Sequence, residues 1–287
     1  MPQPERQANL KHTDGYFQGI RNTRIYYQYW SPSGAFRANL LVVHGLAEHS
    51  GRYMNLVNRF VPMGYAVYGF DHIGHGKSGG RRCYVQRFQD FIETLKNYVD
   101  RIRGLKPGVP LFLVGHSMGG LIAASYLLDP GSGVSGAILS GPGIKAPGSL
   151  SGTLIFIGKV LSVLTPKAPI IQLDAENISR DPAVVNAYRN DPLVYTGKIT
   201  ARLGAEMLKA MQYAAANAGS ITLPLMIVQG GADKLVDPAG AQLLYDRVSS
   251  KDKSIRIYES LFHEVFNEPE REQVLNDVEH WLQARTG

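Results

Sequence analysis

Residues 111–128 place a tight turn between a run suited to a buried strand and a run suited to a helix. The strand-like run is "LFLV" at 111–114, the helix-like run begins at 121, and "GHSMGG" at 115–120 lies between them. A G-x-S-x-G turn needs its glycines because side chains there would clash with the neighbouring strand and helix. We therefore predict a strained backbone that exposes the Ser117 hydroxyl at the carboxyl edge of a sheet and at a helix N-terminus, where backbone N–H groups favour negative charge.

Strand-like and helix-like runs alternate on both sides of this turn. Strands that are apolar throughout are buried on both faces, and alternation with helices implies parallel pairing. We predict an α/β fold with an open, mostly parallel central sheet, helices on both faces, and ligands bound outside the carboxyl ends of the strands. A hairpin is predicted near the start, from "GYFQGI" and "TRIYYQYW". The strand-like runs are 39–45, 65–71, 109–115, 136–142, 223–231 and 254–259, and the helix-like runs are 53–64, 88–105, 121–129, 239–248 and 269–283.

Residues 144–218 interrupt this alternation. They contain helix-like pieces but no convincing strand, which predicts a helical cap inserted over the carboxyl edge of the sheet. The expected division is a core formed by 1–143 and 219–287 with the cap at 144–218. Within the cap, "LIFIGKVLSVL" is apolar on nearly every face, and two interpretations stay open: a helix buried against the core, or a lid helix half exposed to lipid or substrate.

Composition and charge limit the class of protein. Hydrophobic residues make up 44% of the chain and charged residues 19%, which is typical of a folded globular protein. Cys83 is the only cysteine and the first residues lack the apolar segment of a secretory signal, so we expect a cytoplasmic protein. No uncharged apolar run reaches roughly 18 residues, so no transmembrane helix is expected.

The formal net charge of +6 is compatible with a solvated basic surface or with attraction to an anionic membrane. Because Lys and Arg do not cluster among aromatic residues, we expect no nucleic-acid binding. The sequence does not determine the oligomeric state.

A serine nucleophile needs a base and a carboxylate that orients the base. In a strand–turn–helix site of this kind the chain order is serine, acid, histidine. Of the two histidines after Ser117, His280 lies in the last predicted helix, whereas His263 lies in the loop before it and is the predicted base. Asp233, directly after the next-to-last strand, is the predicted acid; Asp237 is the alternative, although its position suits a helix N-cap.

The tetrahedral oxyanion of such a reaction needs backbone donors. The N–H of Met118, the residue after the nucleophile, is one predicted donor. The second is expected from the loop after an earlier strand, "VVHGLAEHS", where we select Leu46.

Four histidines in two predicted loops raise the alternative of a metal site. They are His44, His49, His72 and His75. Because no acidic or cysteine partners complete a tight cluster with them, we expect no metal and instead expect these side chains to shape the loops by hydrogen bonding. Serine chemistry needs no cofactor.

Taken together, these motifs resemble the α/β-hydrolase superfamily, and more closely its monoacylglycerol lipase and lysophospholipase branch. The resemblance rests on "HGLAEHSGRY", "FDHIGHGKSGG", "GHSMGG", "QGGADKLVDPAGA" and "YESLFHEVFNE". It implies an α/β-hydrolase fold with a triad of Ser117, Asp233 and His263 and with Leu46 and Met118 as oxyanion donors.

The resemblance also implies that Glu48, Arg52 and Tyr188 border a polar pocket for the glycerol head of the substrate. The alternatives are a salt bridge that fixes the oxyanion loop, and a tyrosine of the core. The sequence departs from some relatives three residues after the base, where Phe266 replaces a second histidine.

The expected activity is therefore a serine hydrolase that cleaves carboxylic esters of fatty acyl chains, most simply monoacylglycerols. A lysophospholipase, a general carboxylesterase or a thioesterase would use the same residues. A non-catalytic binding module on the same fold is disfavoured because all three triad residue types are present in order. Residues 144–170 contain three lysines and no acidic residue, so we also expect either weak peripheral membrane contact through the cap or a cap that only lines an acyl tunnel.

Overall fold

Apolar runs separated by short turns form the strands of this protein. The computed structural model describes residues 11–34, 36–146 and 152–287, with 152–155 described by their backbone only. The strands are β1 Lys11–Gln18, β2 Arg24–Ser31, β3 Ala38–Val43, β4 Tyr65–Phe70, β5 Leu111–His116, β6 Gly136–Ser140, β7 Pro169–Gln172, β8 Lys198–Thr200, β9 Leu225–Gly230 and β10 Lys253–Tyr258. The helices are α1 Met54–Phe60, α2 Gln89–Leu105, α3 Met118–Tyr126, α4 Gly152–Leu164, α5 Pro182–Asn190, α6 Ala201–Asn217, α7 Ala239–Arg247 and α8 Arg271–Thr286.

Eight of the described strands form one sheet in the order β1-β2-β4-β3-β5-β6-β9-β10. Within this sheet, the six strands β4, β3, β5, β6, β9 and β10 pair in parallel. At one edge β1 and β2 form an antiparallel hairpin, and β2 pairs antiparallel with β4. This arrangement confirms the predicted mostly parallel sheet and the predicted hairpin.

Successive residues of the central strands pack against different helices. In β3, Leu40 and Val42 belong to the cluster that contains apolar residues of α1 and α8, whereas Leu41 and Val43 belong to the cluster that contains residues of α2 and α3. Side chains alternate between the two faces of a strand, so a strand covered by helices on both faces must be apolar at every position. Full burial of each such side chain contributes about 1.5–3 kcal/mol.

Parallel pairing brings the carboxyl ends of β3, β5, β9 and β10 to one edge of the sheet. The loops that follow these strands carry residues 44–49, Ser117, Asp233 and His263. The topology therefore gathers at one edge side chains that lie far apart in the sequence.

The expectation that residues 144–218 contain no strand is wrong. The elements between β6 and β9 are α4, β7, α5, β8 and α6, and β7 and β8 form a two-stranded antiparallel sheet. These strands have four and three residues, and their pairing shifts register between Pro169 and Ile171. Strands this short carry too few positions for an alternating pattern to be visible in the sequence. The division into core and cap stays a prediction.

Helix α4 exposes apolar side chains to solvent. Phe156 is 66% exposed, and Val163 and Leu164 are each 73% exposed. The described side chains of α4 therefore fit the predicted lid helix that is half exposed, and they do not fit a helix buried against the core. The side chains of Leu154 and Ile155, which the sequence assigns to the same apolar run, lie outside the described residues. No helix in the described parts of the chain is long and apolar enough to cross a membrane.

Candidate active site

The backbone at Ser117 has a conformation that L-residues rarely adopt, with φ 54° and ψ −119°. Close packing of glycines makes it possible: a Cβ added at Gly119 would lie 1.9 Å from the carbonyl oxygen of Val43. The Ser117 N–H donates to the Ser140 carbonyl at 2.9 Å, and its carbonyl accepts from the Gly143 N–H at 3.0 Å. The turn between β5 and α3 thus has the strained backbone expected from its sequence, and it is fixed from both sides.

His263 and Asp233 are joined by a short hydrogen bond. His263 Nδ1–H donates to Asp233 Oδ2 at 2.7 Å, and both side chains are almost fully buried. Asp233 Oδ1 accepts the backbone N–H groups of Leu235 and Val236 at 2.8 and 3.1 Å, so the carboxylate is held in place. This arrangement leaves Nε2 of the imidazole as the nitrogen that is free to accept a proton.

Burial and charge act in opposite directions on this pair. Burial alone would lower the pKa of His263, but the charge and hydrogen bond of Asp233, together with the charges of Glu264 and Glu48, outweigh burial and raise that pKa. Burial would likewise raise the pKa of Asp233, yet the charge and hydrogen bond of His263 hold that pKa below its usual value. The pair is therefore arranged to stabilise an imidazolium.

The two rejected alternatives lie elsewhere. Asp237 Oδ1 accepts the N–H of Ala239, the first residue of α7, at 2.9 Å, and Oδ2 pairs with Lys145 at 2.8 Å. Pro238 occupies the N-cap position itself, so Asp237 caps the helix from one residue further out than expected. His280 lies on α8 with its side chain exposed.

The two residues predicted to supply oxyanion donors line the same cavity as Ser117. They are Leu46, in the loop after β3, and Met118, the first residue of α3, and His263 lines the cavity with them. No atom within the described residues accepts a hydrogen bond from the backbone N–H of either residue. Both donors remain available to a negatively charged oxygen at this position.

The three residues expected at a polar pocket lie close together, but they differ in their access to the cavity. Glu48 and Tyr188 line it, whereas Arg52 lies behind them, only 10% exposed, with its guanidinium 4.7 Å from the centre of the Tyr188 ring. Arg52 binds Glu48 at 2.8 Å, and Glu48 Oε1 accepts the Gly45 N–H at 2.6 Å. The salt bridge considered as an alternative is thus present and holds the loop before Leu46.

Sequence reasoning did not single out Glu264. Its carboxylate receives both terminal nitrogens of Arg52, at 2.6 and 2.8 Å. The signal in the sequence was its position directly after His263. Phe266, two residues further on, is buried in the core, and its carbonyl accepts a hydrogen bond from Asn55.

The candidate metal-binding histidines bond to the protein itself. His44 Nδ1–H donates to the Gly45 carbonyl at 2.8 Å, and Nε2 accepts the backbone N–H of His72 at 2.9 Å. His75 donates to the Ile73 carbonyl, and His49 pairs with a carboxylate of the insertion. Burial lowers the pKa of His72 to about 3 and that of His75 to about 4, so both stay neutral. The described residues contain no group of three or more side chains placed to hold a metal ion.

An apolar cavity of about 600 Å³ leads to Ser117 and His263. Its walls come from the segment between β6 and β9, which is the predicted insertion, and from the loops at the carboxyl edge of the sheet. A cavity of this size matches a small-molecule site. The apolar lining includes Ile157, Leu161, Ile170, Ile171, Leu173, Ile178, Ile199, Met207, Leu208, Met211, Leu235 and Val236.

Comparison with known proteins shows one family over nearly the whole chain. A family model described as serine aminopeptidase, S33, matches residues 34–270. The chain is 40% identical to a monoacylglycerol lipase of Mycolicibacterium smegmatis over 266 residues, which is 93% of this chain and 95% of that protein. It is 35% identical to a monoglyceride lipase of Mus musculus, over 91% of this chain and 87% of that protein.

Among solved structures, a monoacylglycerol lipase of Paleococcus ferrophilus is similar in fold and sequence. Its crystal structure matches with a TM-score of 0.81 and 29% identity, over 96% of this chain and 99% of that one.

Replacing Asp233 tests the pairing in the candidate site. We expect Asp233→Asn to lower the pKa of His263 by about one unit or more, because the carboxylate that favours the imidazolium is lost. Asp237→Asn is the matched control and should leave that pKa unchanged, since its partners are Lys145 and Ala239. NMR titration of the histidine ring protons measures both values. A fall in the Asp237 variant, or none in the Asp233 variant, would contradict the assignment.

Proposed function

Because the chain belongs to the α/β-hydrolase superfamily, in the branch of the monoacylglycerol lipases, we propose that it hydrolyses carboxylic esters of fatty acyl chains and that monoacylglycerols are its substrates. The observation that carries this proposal is the apolar cavity that leads to Ser117 and His263. An acyl chain fits such a lining, while the ester carbonyl at its end meets the serine hydroxyl.

The proposed mechanism uses three side chains. His263 Nε2 takes the proton of Ser117 as Oγ attacks the ester carbonyl, and Asp233 holds the imidazole at 2.7 Å and stabilises its cation. The tetrahedral intermediate collapses to an acyl-enzyme when His263 donates the proton to the departing glycerol oxygen. Water then attacks the acyl-enzyme, with His263 acting as base again, and the fatty acid leaves.

The N–H groups of Leu46 and Met118 are the proposed oxyanion donors. Both N–H groups are already fixed in place before the reaction begins. In a site with an apolar wall, such preorganised donors lower the activation barrier more than they would in water. Loss of one donor of this kind costs about 10²–10³-fold in rate in other serine hydrolases.

The glycerol head is assigned to the wall formed by Glu48 and Tyr188. Within the described residues, the Tyr188 hydroxyl has no hydrogen-bond partner, and Tyr188 lines the cavity beside Glu48. Besides Asp233, two carboxylates near His263 belong to Glu48 and Glu264, and both are paired with Arg52.

Weak, reversible contact of α4 with a lipid surface is part of the proposal. Phe156, Val160, Val163 and Leu164 recur at helical spacing and are exposed. Two lysines, Lys159 within α4 and Lys167 just after it, are exposed as well. An interfacial helix binds through its apolar face, and anionic head groups add about 1 kcal/mol per nearby basic residue. Because other residues of α4 line the cavity, the same helix would place the substrate entrance next to the lipid.

The first test is Ser117→Ala. We expect normal folding and a loss of ester hydrolysis on the order of 10⁴-fold or more, because the oxyanion donors and binding alone remain. Turnover of monoacylglycerols, a lysophospholipid and p-nitrophenyl acetate is measured, with labelling by a fluorophosphonate probe. The parent protein should prefer monoacylglycerols with long chains. A variant that keeps a tenth of the activity contradicts the nucleophile, and faster turnover of the lysophospholipid or the acetate contradicts the substrate.

The second test is co-sedimentation with anionic vesicles at low salt. The parent should sediment with the vesicles, whereas Phe156→Ser/Leu164→Ser should stay in the supernatant, since it loses exposed apolar area of α4. Leu105→Ser is the matched control, because it removes an exposed apolar side chain at the end of α2, ahead of β5. If the parent does not sediment, or the double variant sediments as well as the parent, α4 only lines the acyl cavity.

A further inference from the structure

Arg52 connects the two loops on either side of the candidate site. It follows the loop after β3, and its guanidinium binds one carboxylate from each loop: Glu48 at 2.8 Å, and Glu264 at 2.6 and 2.8 Å. The contact to Glu264 is bidentate. Two parallel hydrogen bonds fix the relative orientation of the guanidinium and the carboxylate as well as strengthening the pair. All three side chains are at least nine-tenths buried.

Each of the two glutamates makes further hydrogen bonds close to the site. Glu48 Oε1 accepts the N–H of Gly45, the residue before Leu46, at 2.6 Å, and the Tyr53 hydroxyl at 2.7 Å. Glu264 follows His263 directly, and its own N–H donates to the Ile178 carbonyl of the insertion at 2.8 Å. The oxyanion loop and the histidine loop therefore share one buried ion cluster.

The positive and negative charges of this ion cluster are unequal in number. Two carboxyl groups face one guanidinium, which gives a formal charge of −1 on the wall behind His263. Burial alone would raise the pKa of Glu264, but the adjacent Arg52 holds that pKa below its usual value, so Glu264 is ionised when the enzyme works. A buried negative charge favours a nearby cation, and the cation formed in this site is the His263 imidazolium.

We propose that Glu48, Arg52 and Glu264 are positioning residues for the hydrolytic reaction: they fix the oxyanion loop against the loop of His263 and hold one net negative charge beside the imidazole. This assignment rests on the proposed function. It gives Arg52 a role in the reaction that does not require contact with the substrate. Glu48 and Glu264, which line the cavity, gain a role besides any contact with the head group.

Other charged and titratable groups around His263 are few. Asp233 accepts from Nδ1, and the ring of His116 lies 4.7 Å from the His263 ring. Burial and the neighbouring His263 lower the pKa of His116 to about 4, so His116 stays neutral above that pH. Besides Asp233, the carboxylates of Glu264 and Glu48 act electrostatically on the imidazole, and Arg52 binds both of them. Changing one of these charges should therefore move the titration of His263.

The pH dependence of kcat/KM tests the proposal, because its acid limb reports the protonation of the base in the free enzyme. In Glu264→Gln the side chain keeps its size and loses its charge. We expect its acid limb to move to lower pH by roughly 0.5 to 1 unit and kcat to fall about tenfold with little change in KM. Arg52→Gln removes the positive charge instead, so its acid limb should move to higher pH. Arg52→Lys keeps the charge, and its acid limb should stay close to that of the parent.

Glu268→Gln is the matched control. Glu268 lies on the same loop, is fully buried, and pairs with Arg180 at 2.6 Å. This variant removes a fully buried carboxylate whose arginine partner is 31% exposed, so it should reduce stability without moving the acid limb. The proposal is overturned if the Glu264→Gln profile superimposes on that of the parent, or if Glu268→Gln moves the limb as far.

The comparison of Glu264→Gln with Glu268→Gln tests the proposed positioning role even if Arg52→Gln does not fold. An inactive Ser117→Ala together with an unmoved acid limb in Glu264→Gln would overturn the positioning role alone and leave the proposed function intact.

Discussion

The left-handed backbone at Ser117 is the constraint on which the rest of the site depends. A non-glycine residue with φ 54° and ψ −119° is strained, and it persists only where its surroundings leave no alternative. Here α3 approaches β3 so closely that a Cβ at Gly119 would overlap the Val43 carbonyl. Hydrogen bonds to Ser140 and Gly143 fix the turn on its other side. The core packing of the sheet thereby holds the serine in the wall of the cavity.

The same sheet edge assembles the other groups from separate loops. Asp233 follows β9, His263 follows β10, and Leu46 follows β3. Loops are inherently less precise than strands, so their positions need additional bonds. The short Asp233–His263 contact supplies one of these, and the ion cluster around Arg52 supplies another, since it joins the loop of Leu46 to the loop of His263. The insertion closes the cavity above them and gives it an apolar lining.

The strands of the eight-stranded sheet, the helices that alternate with them and the serine–acid–histidine order could be predicted from the sequence because local pattern determines them. Apolar runs define the buried strands. Asp233 could be distinguished from Asp237 because a residue directly before Pro238 suits the N-terminal cap of a helix. The sheet formed by β7 and β8 was missed because its pairing joins short segments distant in the chain. Glu264 was missed for a related reason: its partner Arg52 lies 212 residues away, and only the folded sheet edge brings the two together.

A crystal structure of the protein inhibited by a long-chain alkyl phosphonate tests the central claim most directly, since the phosphonyl group imitates the tetrahedral intermediate. The account predicts phosphorus bonded to Ser117 Oγ, with the phosphoryl oxygen about 2.7–3.1 Å from the Leu46 and Met118 nitrogens. The alkyl chain should lie in the cavity between α4 and α6. Phosphorus on another residue, or a phosphoryl oxygen turned away from both N–H groups, would contradict it.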